Sequence, residues 1–325
     1  MRTLRAALAL LLVLTGVAHA QPQSAPWPSR PIRLIVPTGP GLGTDILARL
    51  IADGVGRSLG QPIYVENIPG ASGVVGAQVA ARAAPDGYTL LFANASTFTS
   101  NMFLVRSLPY DPIHDFTAVA MTSNRGPFVL AVNPDLPIAS LPQLIAYGQA
   151  HPGQLSYGVD ASSGYGGVVG RLLNKRAGIG MVEIPYRATA QMLQETAAGT
   201  TQAMISSFAA AVGFAQAGKI RRIAISSAER FPGTPDLPTI GETLPGFAID
   251  GWLLVVAPAG TPAEIVDLLS RRIGEVVRQG EMQQRLLGLG LGVSGNDTPA
   301  TTDAFIRHQQ ALWRDIAREL DLRPE

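Results

Sequence analysis

Residues 32–51 read IRLIVPTGPGLGTDILARLI. Ile32, Arg33, Leu34, Ile35 and Val36 form a short, mostly apolar run of strand type. Pro37 ends it, and Gly39, Pro40, Gly41, Leu42 and Gly43 make a glycine-rich turn. Thr44 or Asp45 can cap the helix that follows, whose apolar residues Ile46, Leu47, Leu50 and Ile51 recur at helical spacing. Strand, glycine loop and helix together are the front of a βαβ unit. The same order returns at residues 155–173, LSYGVDASSGYGGVVGRLL: a strand over 155–159, a second glycine loop, then a helix.

Working outward from these two stretches, further strands are expected at 63–66, 88–92, 128–132, 181–184, 202–205, 222–226 and 252–257. Helical patterns lie between them, from residue 72, over 141–149, over 190–198 and from 208 to 217. The pattern loosens over 94–119. Pro232, Pro235, Pro238 and Pro245 mark 231–247 as a crossing segment. Residues 262–318 read as helix in three pieces, broken near Gly280 and over 292–299. Strands alternating with helices argue for an α/β fold with parallel pairing. Crossings near 120–130 and 240–252 suggest two halves, the second inserted into the first.

The chain has 325 residues, a formal charge of +1 and 15% charged residues. That balance carries no basic footprint for nucleic acid and no acidic tail. With no cysteine at all, disulfides, zinc–thiolate sites, iron–sulfur clusters and thiol nucleophiles are excluded. At the N-terminus, Arg2 and Arg5 precede an apolar run over 6–17 that closes at Ala18-His19-Ala20. This reads as a secretory signal peptide over 1–20, cleaved after Ala20. A Pro-, Gln- and Ser-rich linker follows over 21–30. No later stretch is apolar for long enough to span a membrane.

Catalytic chemistry finds little to work with. Past the leader, His114, His151 and His308 stand too far apart in sequence for a metal-ligand spacing. Ser162 and Ser163 lack the glycines of a nucleophile elbow. Asp45 and Asp160, beside the two glycine loops, suit capping. No metal and no cofactor is expected. The loops themselves are more informative. A helix start exposes unpaired N–H groups and a partial positive charge, and glycine lets a ligand approach the backbone. Thr38, Gly39, Gly41 and Gly43 in the first loop, and Gly164 and Gly166 in the second, can therefore grip an anion or merely make tight turns. Tyr165 and Tyr186 can line a pocket. Arg187, at a strand end, can pair with a ligand carboxylate or face solvent. Phe208, Phe214 and Trp252 read as core or hinge packing.

Several segments together resemble the tripartite tricarboxylate transporter receptor family, the Bug-type extracytoplasmic solute receptors. They are Trp27-Pro28-Ser29-Arg30-Pro31-Ile32, Gly60-Gln61-Pro62-Ile63-Tyr64-Val65-Glu66-Asn67, Ala84-Pro85-Asp86-Gly87-Tyr88, Leu108-Pro109-Tyr110-Asp111-Pro112, Ile184-Pro185-Tyr186-Arg187, Asp236-Leu237-Pro238-Thr239 and Ala257-Pro258-Ala259-Gly260-Thr261-Pro262. The resemblance spans about 27–320 in the family's order. It implies a two-domain periplasmic binding protein of the Venus-flytrap, type II-like kind, with the ligand cleft between domains. Domain 1 would be 27–123 with 251–325, and domain 2 the inserted 124–250. It implies capture of a small carboxylated organic solute in the periplasm, through backbone amides, hydroxyls and water. Delivery to the membrane permease of a tripartite tricarboxylate transporter would follow, with no catalysis. The receptor is expected to be a monomer. An orphan sensor for a signalling partner is the alternative, and a secreted α/β enzyme is disfavoured.

The family's ligand positions fall on Thr44 and Asp45, on Asn94, Ser96 and Thr97, on Ser162, Ser163 and Gly164, and on Ser206 and Ser207. Three places depart from the family pattern. Leu42 intrudes in the first loop, Gly166-Gly167-Val168-Val169 replaces small hydroxyls and a histidine, and Ser206-Ser207 replaces an acidic–amide pair. These departures point to a bulkier or more apolar ligand than a short dicarboxylate. Arg125, Gly126 and Gly251 lie near the crossings, where a hinge would bend.

Overall fold

Short apolar strands that each feed a helix can bury both faces only in a parallel sheet covered by helices. The computed structural model, which describes residues 26–41, 43–159, 164–292 and 297–324, has this arrangement twice. The chain runs β1 (Ile32–Val36), α1 (Gly43–Leu59), β2 (Ile63–Asn67), a 3₁₀ turn (Ala71–Gly73), α2 (Val74–Ala81) and β3 (Thr89–Asn94). Two one-turn helices follow, α3 (Ala95–Phe98) and α4 (Asn101–Leu104), then the long β4 (Phe116–Val132) and α5 (Leu141–Ala150). The second set is β5 (Ser156–Val159), α6 (Tyr165–Ala177), β6 (Val182–Pro185), α7 (Thr189–Ala197), β7 (Ala203–Ser207), α8 (Phe208–Gln216) and β8 (Arg221–Ile225). The chain closes with β9 (Asp250–Pro258), α9 (Ala263–Val277), α10 (Gly280–Gly288) and α11 (Pro299–Leu320).

The strands order as β2-β1-β3-β9-β4-β7-β5-β6, with β8 also on β4. β1 pairs in parallel with β2 and β3, and β5 with β6 and β7, so both expected βαβ sets are present. β4 joins them. It runs antiparallel to β9 along Phe116–Pro127, then to β7 and β8 over Phe128–Val132. At the changeover Gly126 faces Gly251. A Cβ on Gly126 would lie 3.1 Å from the Gly251 carbonyl oxygen, and one on Gly251 3.2 Å from that of Gly126. Two side chains there would push the strands apart.

Most of the expected elements are present, including the three C-terminal helices. The correction is β4, which begins at Phe116 rather than near 128. Its alternation is broken by register shifts between Ala118 and Gly126 and by two buried hydroxyl residues. Thr122 Oγ1 donates to the Leu253 carbonyl at 2.8 Å, and Ser123 Oγ to the Gly292 carbonyl at 2.9 Å. Satisfied in this way, they sit inside a sheet whose sequence looks like a loop.

One apolar cluster fills the space between α1, α9 and the β1–β3–β9 face, around Leu47, Ile51, Phe92, Leu269 and Ile273. A second lies under β4's far end, with Met192, Met204, Phe208 and Phe231. The largest runs through both strand sets and takes in Tyr165, Trp252 and Trp313. The C-terminal helix clamps this seam: Trp313 lies 4.4 Å from the Tyr165 ring, and the Glu319 carboxylate accepts from Arg176 Nε and Nη2 at 2.9 and 2.8 Å.

Candidate functional site

The first glycine loop is held from below. Asp45, 2% exposed, accepts from the Gly41 N–H at 2.8 Å and from Arg49 Nε at 3.1 Å, and its other oxygen accepts from Asn67 Nδ2 at 2.8 Å. The same Asn67 amide donates to the Thr38 carbonyl at 3.0 Å. Burial works against ionisation of Asp45. The Arg49, Gly41 and Asn67 hydrogen bonds and the Arg49 charge outweigh it, so the carboxyl stays below its ordinary pKa. Asp45 therefore shapes the loop and does not line the cleft beyond it.

That cleft has two connected lobes. The larger, about 490 Å³, is lined by Gly41, Gly43, Thr44 and Ile46 of the first loop and helix, by Asn94, Ala95 and Ser96, and by Gly126, Pro127 and Phe128 on β4. Tyr165, Thr189, Ser207 to Ala210, Gly251 to Leu253 and Leu289 to Leu291 close it. The smaller, about 410 Å³, is lined by Pro37, Thr38, Thr44, Gly70 to Gly73, Asn94, Ser96, Phe128, Gly164, Tyr165 and Ser207. Thr44, Asn94, Ser96, Phe128, Tyr165 and Ser207 belong to both and form the waist.

Helix starts converge here. α6, α7 and α8 are entered through Gly164, Ala188 and Ser207, and none of the three has a side chain capping its first amides. Their first residues reach the cleft at Tyr165, Thr189 and Phe208. Each therefore carries unpaired N–H groups and the positive end of a helix dipole. Among the described residues, no Lys, Arg, His, Asp or Glu lines either lobe. Tyr165 is the one titratable side chain among them, and burial pushes its phenol far up despite a hydrogen bond with Thr99. The site can thus bind an anion through amides and hydroxyls. Among the described residues that line the cleft no nucleophile stands beside a base, and no described cluster of three or more acidic or histidine side chains could hold a metal ion.

The cleft gathers Thr38, Gly41, Gly43, Thr44, Asn94, Ser96, Gly164, Tyr165 and Ser207 from the sequence-derived set. Ser162 and Ser163 lie outside the described residues, as do Leu42 and Asp160. The remaining positions stand elsewhere. Gly39 lines neither lobe, and Thr97 is buried with its hydroxyl on Asn94 Oδ1 at 3.0 Å. Gly166 is buried inside α6, and Ser206 is fully buried one residue before the cleft-facing Ser207. Tyr186 is buried under β5, its phenol donating to Glu195 Oε2 at 2.7 Å, while Arg187 is exposed away from both lobes.

Sequence reasoning missed Ile46, Phe128, Ala209, Ala210, Leu253 and the 289–291 segment as lining, and assigned Phe208 and Trp252 to packing. Trp252 does pack, at 1% exposure, yet it is among the residues that bound the larger lobe. Only the Gly126–Gly251 crossing hinted that β9 passes the site.

Residues 47–322 match the tripartite tricarboxylate transporter family receptor (TctC) family. The chain is 34% identical over 317 residues to a UPF0065 protein of Bordetella bronchiseptica, covering 98% of this chain and 93% of that one. It is 33% identical over 321 residues to Protein BugT of Bordetella pertussis, covering 98% of both. Among solved structures, R. palustris Rpa4515 with adipate superposes with a TM-score of 0.84 at 33% identity, covering 92% of this chain and 100% of that one. MatC (Rpa3494) from Rhodopseudomonas palustris with bound malate gives 0.78 at 31% identity, with 89% and 99% covered. The periplasmic binding protein BugD gives 0.80 at 27%, with 92% and 100% covered. An α/β periplasmic-binding-protein fold and an amide-lined cleft without a catalytic set thus meet a family match over most of the sequence, and the chain belongs to the TctC/Bug family of solute-binding receptors, which are not enzymes.

Proposed function

We propose that this receptor captures a small carboxylated organic solute between two domains and delivers it to the membrane permease of a tripartite tricarboxylate transporter. The convergence of three uncapped helix starts on one cleft without an ionised described side chain carries the reading. Such a cleft favours an anion over a cation or a neutral sugar. The solved relatives with adipate and malate are consistent with it. Thr38, Gly41, Gly43, Thr44, Asn94, Ser96, Gly164, Tyr165 and Ser207 are the proposed contacts. Domain 1 comprises about 27–123 and 251–325, and domain 2 about 124–250, so that β4 and β9 cross between them. A ligand touching both favours the closed form by its differential affinity for that form, which alters the face shown to the permease. The receptor works as a monomer in the periplasm, after cleavage behind Ala20.

The test is thermal unfolding of protein expressed from the full sequence, against short dicarboxylates, tricarboxylates, amino acids and aromatic acids at matched ionic strength. A ligand at 100 times its Kd adds about 2.7 kcal/mol of stability. A shift of a few degrees with one carboxylate class supports the reading. A flat panel, with no organic acid released on denaturation by mass spectrometry, refutes it.

A further inference from the structure

The two lobes differ in character. The smaller is framed by backbone and hydroxyls: Thr38, Ser72, Gly73 and Gly164. The waist adds Thr44, Asn94, Ser96 and Ser207. Beyond the waist, whose Phe128 faces both lobes, the larger lobe is walled by Ile46, Phe208, Trp252, Leu253, Leu289 and Leu291, and no ionised described side chain stands there to meet a second charge. Phe208 and Trp252, with Phe128 at the waist, bring three aromatic rings from α8, β9 and β4.

Ile46 sharpens the contrast. It is 39% exposed, and among the large exposed apolar side chains (with Tyr64, Val75, Ile113 and Val182) it alone lines the cleft. A single exposed apolar side chain is ordinary on a protein surface, but this one faces the cleft, where a bound apolar group would cover it. Gly290 points the same way. It sits at φ +71°, and a Cβ on it would fall 2.5 Å from the Phe208 ring. Its lack of a side chain lets that ring pack against the 289–291 segment and complete the apolar wall.

Resting on the reading of the cleft as a carboxylate receptor, we propose that the ligand is an aromatic monocarboxylate. Its carboxylate sits at the waist, against Thr44, Asn94, Ser96 and Ser207 and the amides opening α8. Its ring occupies the larger lobe. A dicarboxylate long enough to cross the waist brings its second charge into the larger lobe, where it exchanges water for the amides near Thr189 and for apolar side chains such as Ile46, Leu253 and Leu291, with no ionised described side chain to receive it. A ring in the same place packs against Phe208 and Trp252 and, at the waist, Phe128.

The experiment is calorimetric titration of 3-phenylpropionate, adipate and malate into the full receptor, after unfolding and refolding to strip any bound acid. The Ile46→Arg variant is titrated alongside. The wild-type protein is expected to bind 3-phenylpropionate about tenfold or more tighter than adipate, the equivalent of about 1.4 kcal/mol, and malate more weakly still. Ile46→Arg places a guanidinium at the mouth of the apolar lobe, where it can pair with a distal carboxylate. It should cut that ratio about tenfold, by weakening the aromatic acid and strengthening adipate. Adipate or malate binding as tightly as 3-phenylpropionate to the wild type overturns the inference and leaves the carboxylate-receptor reading standing. Binding of none of the three also overturns it, and the broader carboxylate panel then decides the receptor reading by itself. If the variant does not fold, the wild-type ratio decides alone.

Discussion

Asp250 opens β9 at the point where that strand crosses β4, its backbone paired with Pro127 and its neighbour Gly251 facing Gly126. Ser227 Oγ donates to its carboxylate. Burial pushes its pKa up to about 6 from an ordinary 3.8, against the lowering effects of the Ser227 hydroxyl, the Arg125 charge and the Gly126 N–H. The sign follows from linkage. Between pH 4 and 6 the folded state holds more protons than the unfolded chain, so stability falls as pH rises through that window. At 1.36 kcal/mol per pKa unit, the full cost of the ionised carboxylate is about 3 kcal/mol above pH 7. Asp250→Asn removes the ionisation and keeps an oxygen for Ser227. The assay is urea unfolding of both proteins across pH, taking their difference so that other titrating groups cancel. The variant's advantage should grow by about 2 kcal/mol between pH 4.5 and 7.5. A difference flat to within about 0.5 kcal/mol would refute the claim that the half-buried Asp250 sits in a poorly solvating seam.

Asp45→Asn tests the opposite case. The folded pKa of Asp45 lies below its ordinary value, so its contribution is present at neutral pH and lost as pH falls through the folded value. The variant should lose about 2 kcal/mol at pH 7, because an amide group must face donors such as the Gly41 N–H or Asn67 Nδ2, and the two proteins should converge in acid. An equal loss at pH 3 and pH 7, measured by urea unfolding, would count against the charge argument. Tyr165→Phe probes the seam between the strand sets. Thr99 Oγ1 donates to the Ala95 carbonyl at 2.6 Å, so the Tyr165 phenol donates to Thr99 Oγ1 at 2.7 Å. Removing it should cost about 1 kcal/mol, and Thr99→Val in the same protein should add little further. Additive losses in that double-mutant cycle would show the hydrogen bond to be energetically silent.

The glycine loops were legible because their grammar is local. Ile32–Val36 before Gly39 to Gly43, and residues 155–159 before Gly164, each place strand, turn and helix within some twenty residues. Thr38, Gly41, Gly43, Gly164 and Tyr165 line the cleft for that reason. The same local reading placed Tyr186 and Arg187 at a promising strand end, but which face they take depends on the layer packed below. Tyr186 lies against Gly158, where an added Cβ would come within 3.0 Å of its ring, and it finds Glu195. The length of β4 was hidden too. Thr122 and Ser123 read as loop residues until Leu253 and Gly292, more than 120 positions away, supply their acceptors.

The amino-acid sequence by itself determined the α/β class, the two βαβ sets and the place of the glycine loops, and its ordered motifs carried the family resemblance. The class, the two sets and the loops follow from hydrophobic period, backbone permission and spacing, which act between near neighbours along the chain, whereas the family rests on the resemblance of whole motifs. Only the tertiary structure decided which residues share the cleft. Ile46, Phe128, Phe208, Trp252 and Leu291 come from five separate segments, and no pattern within any one of them records the others. Their convergence is set by where β4 and β9 cross, which depends on close approach at Gly126 and Gly251 and on long-range packing that forms only when the whole core is buried.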